Sequence, residues 1–208
     1  MKKMITALCF LFLVGCSAQA TYNLEVLSDD TEIDQLSQSS AAYPWPSSLE
    51  DIEEKSELIV KAKMNGMIEV GNYDNIYDIN ARITSTLSEI EVTEVFKGDL
   101  SVGDRTVVTE LFYLMGGQVT TVEHYVPMEQ DEEYLLFLTN WDDESWAINY
   151  MGFGKYHFEK ESVNHSIQNY QTMKEVRNFQ FMSEYEEEVT LFDTLYEEVH
   201  DKYNSDKN

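Results

Sequence analysis

The sequence has 208 residues and a formal charge of −25, from 39 acidic and 14 basic side chains. With 43% hydrophobic and 12% aromatic residues, it is long and apolar enough for one domain with its own core and a tail, which argues against a wholly disordered chain. The acidic surface repels nucleic-acid phosphates and anionic headgroups, so a nucleic-acid-binding or polybasic membrane-binding role is disfavoured. The charge fits either a solvated coat or attraction of divalent cations and basic partners.

The N-terminus has the pattern of an export signal. A positive start precedes an apolar run, residues 4–14, that is too short to span a membrane. The run ends in LVGC, residues 13–16, which resembles the bacterial lipobox. This resemblance implies removal of residues 1–15, attachment of diacylglycerol and palmitate to Cys16, and stable anchoring in the bilayer at the extracytoplasmic face of a cell membrane. An ordinary secretory signal is the alternative.

The segment after the anchor cysteine is predicted to be a flexible tether. Residues 16–47 are rich in Ser, Ala, Gln, Thr and Asp, lack sustained apolar periodicity, and end near Pro44 and Pro46. As a coil, such a segment holds a domain on the order of 30 Å from its anchor. The other cysteine, Cys9, lies in the leader, so the mature chain has no pair for an intramolecular disulfide.

Residues 48–160 carry the pattern of a β-rich domain. Ser48 and the acids that follow it predict a short helix over residues 48–56. The next strand contains Asn65-Gly66, which indicates a bulge or a sharp bend, and residues 71–80 are expected to form a loop over a barrel mouth. Further strands are predicted from apolar runs and alternation over 82–96, 106–111, 118–125, 134–138, 146–151 and 155–158.

Two of these strands have distinctive features. The parity of the apolar residues shifts along 82–96, which predicts a bulge at Thr93 or Glu94, and the loop that follows contains Leu100 and Val102, which are expected to plug one end of a barrel. The run YLLFL, residues 134–138, is apolar on both faces and is therefore expected in the middle of the core.

Three motifs in this region carry a resemblance. The sequence EVFKGDL (94–100), followed by VGDRTVV (102–108) and EEYLLFL (132–138), resembles the OB-like barrels, of the netrin or TIMP-like type, found in extracytoplasmic lipoproteins. The resemblance covers residues 48–160. Family members that inhibit metalloproteases use a free N-terminal cysteine amine and disulfides, whereas Cys16 is expected to be lipidated and remote, so protease inhibition is not implied here.

Residues 161–208 are expected to form a C-terminal helix and tail. Apolar residues recur at helical spacing from Ile167 to Tyr203 without Gly or Pro. A single helix over residues 166–203 would be about 57 Å long, longer than the barrel, so it either bends near Ser183 or projects. Its aromatic stripe packs on the barrel in the simpler interpretation and binds a partner in the other. The predicted fold class is therefore mainly β, a small OB-like barrel with a short N-terminal helix and a long C-terminal helical segment.

The sequence lacks the common short motifs of catalysis. The histidines form no HExxH pair, and there is no Gly-x-Ser-x-Gly elbow, P-loop or GxGxxG sequence. Carboxylates are so numerous that a glycosidase-type pair cannot be singled out. These observations favour a protein that is not an enzyme and has no cofactor; a hydrolase ranks third among the hypotheses.

Two kinds of binding residue remain as candidates. Carboxylates on loops suit Ca²⁺, and they occur in residues 129–133 and in the triplet Asp142, Asp143 and Glu144, although neither has EF-hand spacing. Five aromatic residues could stack on a glycan or peptide across a barrel face, with a core or rim position as the alternative: Tyr73, Tyr77, Tyr113, Trp141 and Trp146. The leading expectation is a membrane-anchored module that binds an envelope protein or glycan without catalysis, and a Ca²⁺-dependent module is the alternative.

Overall fold

A computed structural model describes the chain from Leu27 to Asn204 with gaps. Backbone and side chains are described for residues 27–28, 30–33, 44–71, 84–114, 117–123, 125–141, 145–160 and 170–204, and the backbone alone for 35–39, 72–75, 78–83, 115 and 162–164.

The described residues form eleven strands, three α-helices and one 3-10 turn. In chain order they are β1 (Gln35–Ser39), α1 (Leu49–Lys55), β2 (Leu58–Asn75), β3 (Asp78–Lys97), β4 (Arg105–Glu110), β5 (Phe112–Met115), β6 (Gln118–Val122), β7 (Glu133–Asn140), β8 (Trp146–Ile148), the 3-10 turn (Met151–Gly154), β9 (Lys155–Tyr156), β10 (Ser162–Asn164), α2 (Met173–Arg177), β11 (Phe179–Met182) and α3 (Glu186–Tyr203).

Five strands close into a barrel. Their order is β2-β3-β4-β8-β7, and β7 returns to pair with β2. The β4 and β8 strands run parallel, and the other neighbours are antiparallel. The predicted fold class, a mainly β protein with a small OB-like barrel, a short N-terminal helix and a C-terminal helix, is confirmed.

Bulges allow the long strands to bend around this barrel. Asn65 is the extra residue between the pairs Met64–Ile90 and Gly66–Glu89, as the sequence predicted. Thr93 is likewise skipped between two neighbouring pairs of β2 and β3, at one of the two positions that the parity shift indicated. Each extra residue restores the inward direction of the apolar side chains that follow it.

The predicted hairpin of β3 and β4 is present, and its loop begins at a required glycine. Gly98 has a φ of +103°, and a Cβ there would lie 2.8 Å from Cδ1 of Leu58. Leu100 packs against the barrel core, whereas Val102 is 69% exposed, so the expectation that Val102 plugs the barrel is wrong.

Strand β7 separates two hydrophobic cores. Leu136 and Leu138 face the barrel interior, which is mainly aliphatic. Leu135 and Phe137 face an outer core formed with α1, α3 and β11, which is mainly aromatic. The strand is therefore buried on both faces, as its continuous apolar run predicted.

The expectation of a flexible tether up to residue 47 is wrong for part of that segment. Leu27 and Ile33 are buried in the barrel core cluster, and β1 pairs in parallel with β6. Isolated apolar side chains here find partners on the domain, although they have no periodicity that the sequence could reveal.

The helical segment predicted over residues 166–203 is helical only in part. The short α2 ends at Arg177, β11 pairs in parallel with β10, and a separate helix, α3, begins at Glu186. Phe179 and Phe181 lie in β11 because a tertiary strand partner overrides the helical spacing. The change of direction falls near Ser183, where a bend was expected, and α3 packs on the outer core.

The loop predicted over residues 71–80 is mostly strand. β2 continues to Asn75 and β3 starts at Asp78, and the two remain paired to that point. Asn and Asp are depleted in strands, but pairing between β2 and β3 overrides this preference here.

Candidate functional site

Six of the nine predicted site residues lie outside the part of the chain whose side chains the structure describes. Cys16, Tyr77 and the triplet Asp142, Asp143 and Glu144 lie outside the described residues. Tyr73 lies in β2, where only its backbone is described.

The remaining aromatic candidates do not share one sheet. Trp141 and Trp146 are half-buried at the connection between β7 and β8, where the amide of Trp141 donates to the Ser145 carbonyl at 3.1 Å. Tyr113 is half-buried in β5, which pairs with β6 in a separate sheet. Tyr113 therefore lies in a different sheet from Trp146.

The carboxylates of residues 129–133 point to separate partners. Glu129 pairs with Lys160 at 2.7 Å, and Asp131 pairs with Lys63 at 2.8 Å. Glu132 lies 3.1 Å from the ring of His157. Within the described ranges, no three metal-ligating side chains converge.

One open feature is a two-stranded arm at the end of β2 and β3. β2 pairs with β7 only through Lys63, and β3 pairs with β4 only from Thr86 onward. We define the arm as residues 66–75 with 78–85, where each described strand pairs with the other strand alone. Among the described residues, no strand pairs with the outer edge of β2 in the arm, and Ile68 on that strand is 46% exposed.

The other feature is a buried polar cluster at the junction of the barrel with the C-terminal segment. A small cavity with room for about one water-sized group lies between the β6–β7 loop, β7, β9, α2 and β11. Its polar lining is basic rather than acidic: Lys155, His157, Lys160, Arg177, with Tyr134 and Gln180 beside them.

Glu110 is a buried carboxyl group close to this cavity. It ends β4 and is fully buried. One carboxylate oxygen accepts from Ser88, and the other accepts from the Tyr125 hydroxyl at 2.7 Å and the Met128 amide at 2.8 Å. Three donors thus bond to the two oxygens of Glu110, and burial together with this side chain raises the pKa of Tyr125.

Lys155 is the buried cation of the cluster. It is only 3% exposed, and its ammonium lies 5.3 Å from the ring centroid of Tyr125 and 5.1 Å from that of Tyr134. Burial lowers the pKa of Lys155 to about 7, with Glu110 opposing the change and Lys160 and Arg177 adding to it. At neutral pH the amine is therefore close to its midpoint of protonation.

Two further groups fix the walls of the cavity. Burial lowers the pKa of His157, while its bond to Glu132 opposes the change. The guanidinium of Arg177 donates to the Met128 carbonyl at 2.8 Å and to the Leu27 carbonyl at 3.4 Å. Arg177 thus joins the N-terminal segment, the β6–β7 loop and α2.

Sequence reasoning missed this cluster. Its members come from five separate segments, and single basic residues in an acidic chain give no motif. The only local signal is Lys155-Tyr156-His157, where Lys155 and His157 share one strand face that an amphipathic reading assigns to solvent.

The comparisons with known proteins leave the family open. No protein-family model matches the chain, and a search of curated proteins finds no significant match. Among the described residues, no helix is long and apolar enough to span a membrane.

Proposed function

We propose that this protein is a lipid-anchored lipoprotein, displayed on the extracytoplasmic face of a cell membrane, that binds an envelope protein without catalysis. The lipobox-like sequence at residues 13–16 supports the anchor. The observation that carries the binding role is the open edge of β2 in the arm.

The open edge supports binding by strand addition. The backbone amides and carbonyls of residues 66–75 that face away from β3 pair with no described strand, and an extended segment of a partner would bind there, as where a strand joins a sheet edge. The five residues 71–75 alone span about 17 Å at 3.4 Å per residue. A partner strand of ordinary length fits along this edge.

The charge of the chain indicates which kind of partner it attracts. With a net charge of −25, this protein repels acidic proteins and attracts basic ones at low salt. We therefore expect a neutral or basic polypeptide segment, bound more weakly as salt increases.

The anchor is tested by the full-length chain and its Cys16→Ser variant in a bacterial host. The native chain should incorporate labelled palmitate and fractionate with membranes, whereas Cys16→Ser should lose the label and the membrane association. Equal fractionation of the two chains would contradict lipid anchoring while leaving the binding role testable on its own.

The binding role is tested by site-specific photocrosslinking in intact cells. A photoreactive amino acid at position 68 should give one dominant adduct, which mass spectrometry identifies. The matched control is position 102, because Val102 is also an exposed apolar residue but lies outside the arm. No adduct at 68, or the same adducts at both positions, would overturn the assignment of the arm as the binding edge.

A further inference from the structure

Three of the four basic side chains that line the cavity already have a partner within the protein. The Lys160 ammonium lies 2.7 Å from Glu129, and His157 bonds to Glu132. Arg177 donates to carbonyl oxygens. Each of these side chains thus has a described partner within the protein.

Lys155 differs from these three. Its contacts are two ring faces, and among the described residues no hydrogen-bond acceptor reaches Nζ. The nearby carboxylate of Glu110 receives its three hydrogen bonds from other donors. Nζ is not one of the buried side-chain atoms that lack both solvent contact and a partner, so it borders the cavity, which is where an acceptor for the ammonium can lie.

We propose that this cavity binds one monovalent anion of about the size of chloride, with Lys155 as its main ligand and Arg177 and Lys160 adding positive potential. The room for about one water-sized group is too small for a carboxylate, a phosphate ester or a nucleotide. Val126, Pro127 and Phe179 form apolar walls that keep the local dielectric low and strengthen the attraction.

Binding of the anion would be linked to protonation of the amine. The charged groups that face Lys155 are Glu110 of β4, Lys160 and Arg177, while Tyr125, Tyr134 and His157 are the other titratable neighbours. Because the pKa of Lys155 is lowered to about 7, an anion that favours the ammonium form makes the Lys155 amine take up a proton from solvent when it binds. Affinity should therefore fall as pH rises from 6.5 to 8.5.

The test uses the full chain carrying Cys16→Ser, in sodium chloride, sodium acetate or sodium sulfate at one ionic strength. Chloride should raise Tm by several degrees relative to acetate at pH 6.5 and by less at pH 8.5. Chloride NMR line broadening should persist when acetate is added in excess, because acetate is too large for the cavity.

Two lysine variants decide whether the site is the cavity. Lys155→Met should abolish both the Tm response and the line broadening. Lys61→Met is the matched control, because Lys61 also lies over two aromatic rings, at 5.9 and 5.5 Å, but pairs with Glu94 outside the cavity. Equal responses to all three salts, or an unchanged response in Lys155→Met, would overturn the proposal.

Discussion

The C-terminal segment packs on the barrel at two places that differ in chemistry. Through α3 it buries Phe192 and Val199 against the aromatic face of β7. Through α2 and β11 it places Arg177 and Gln180 beside Lys155 in a polar cavity. Apolar burial stabilises a fold, whereas burial of a cation opposes it. The first contact is therefore expected to hold the segment on the barrel. The second is expected to bind a ligand.

The largest effect should follow from truncation in the aromatic contact. Phe192 is buried and stacks with Phe181 at 4.5 Å and with Tyr156 at 5.5 Å between ring centroids. We expect Phe192→Ala to lower the free energy of unfolding by about 3–5 kcal/mol in denaturant titrations. Tyr185→Ala, on a ring that is 63% exposed before the same helix, should change it by less than about 0.5 kcal/mol. Similar losses for the two variants would refute a stabilising role for this contact.

The polar contact should respond in the opposite direction. In chloride-free buffer at pH 7, Lys155→Met is expected to raise the free energy of unfolding by about 1–4 kcal/mol, because an apolar side chain of similar length replaces a desolvated amine. The same denaturant titration measures it. A loss of stability would show that Lys155 contributes more through its contacts with Tyr125 and Tyr134 than its burial costs.

The pH dependence of the free energy of unfolding tests the lowered pKa of Lys155 independently. The folded-state pKa of Lys155, about 7, lies below the ordinary value of 10.5. Between these values the unfolded chain binds more protons, so this residue makes stability rise with pH. The slope between pH 7.5 and 9.5 should be shallower in Lys155→Met than in the parent. Tyr125 and Tyr134, whose pKa values are raised, change the pH dependence of stability only above about pH 10. Parallel curves for the two proteins would contradict the lowered pKa.

A smaller loss is expected at the buried carboxyl group of Glu110. Glu110→Gln keeps the shape of the side chain but replaces one acceptor oxygen by an NH₂ group that faces donors on Ser88, Tyr125 or the Met128 amide. We expect a loss of about 1–3 kcal/mol from the mismatched donor. Glu91→Gln, on the exposed side of β3, is the control. An equally small change in both variants would mean that Glu110 is not a structural acceptor.

Several particular features of the fold could be predicted from local sequence. The bulge at Thr93 followed from a parity shift that only an extra residue can repair, and the central position of β7 followed from its two apolar faces. The short helix α1 followed from Ser48, whose hydroxyl accepts from the Asp51 amide at 3.2 Å. In each case the cause lies within a few residues.

Features that depend on distant partners were missed. β1 exists because β6 offers it a parallel edge, and β11 exists because β10 does, even though its residues have helical spacing. The cavity is the clearest case, since Glu110, Lys155 and Arg177 meet only after the barrel has closed.

The sequence by itself determined the mainly β barrel, its central hairpin and the apolar face of the C-terminal helix, because bulges, caps and alternation act over short distances. Only the tertiary structure decided which strands were completed by distant partners, which edge of β2 stayed open, and which lysine became buried. These outcomes depend on desolvation and on hydrogen-bond partners brought together from separate segments, and a linear pattern does not specify either.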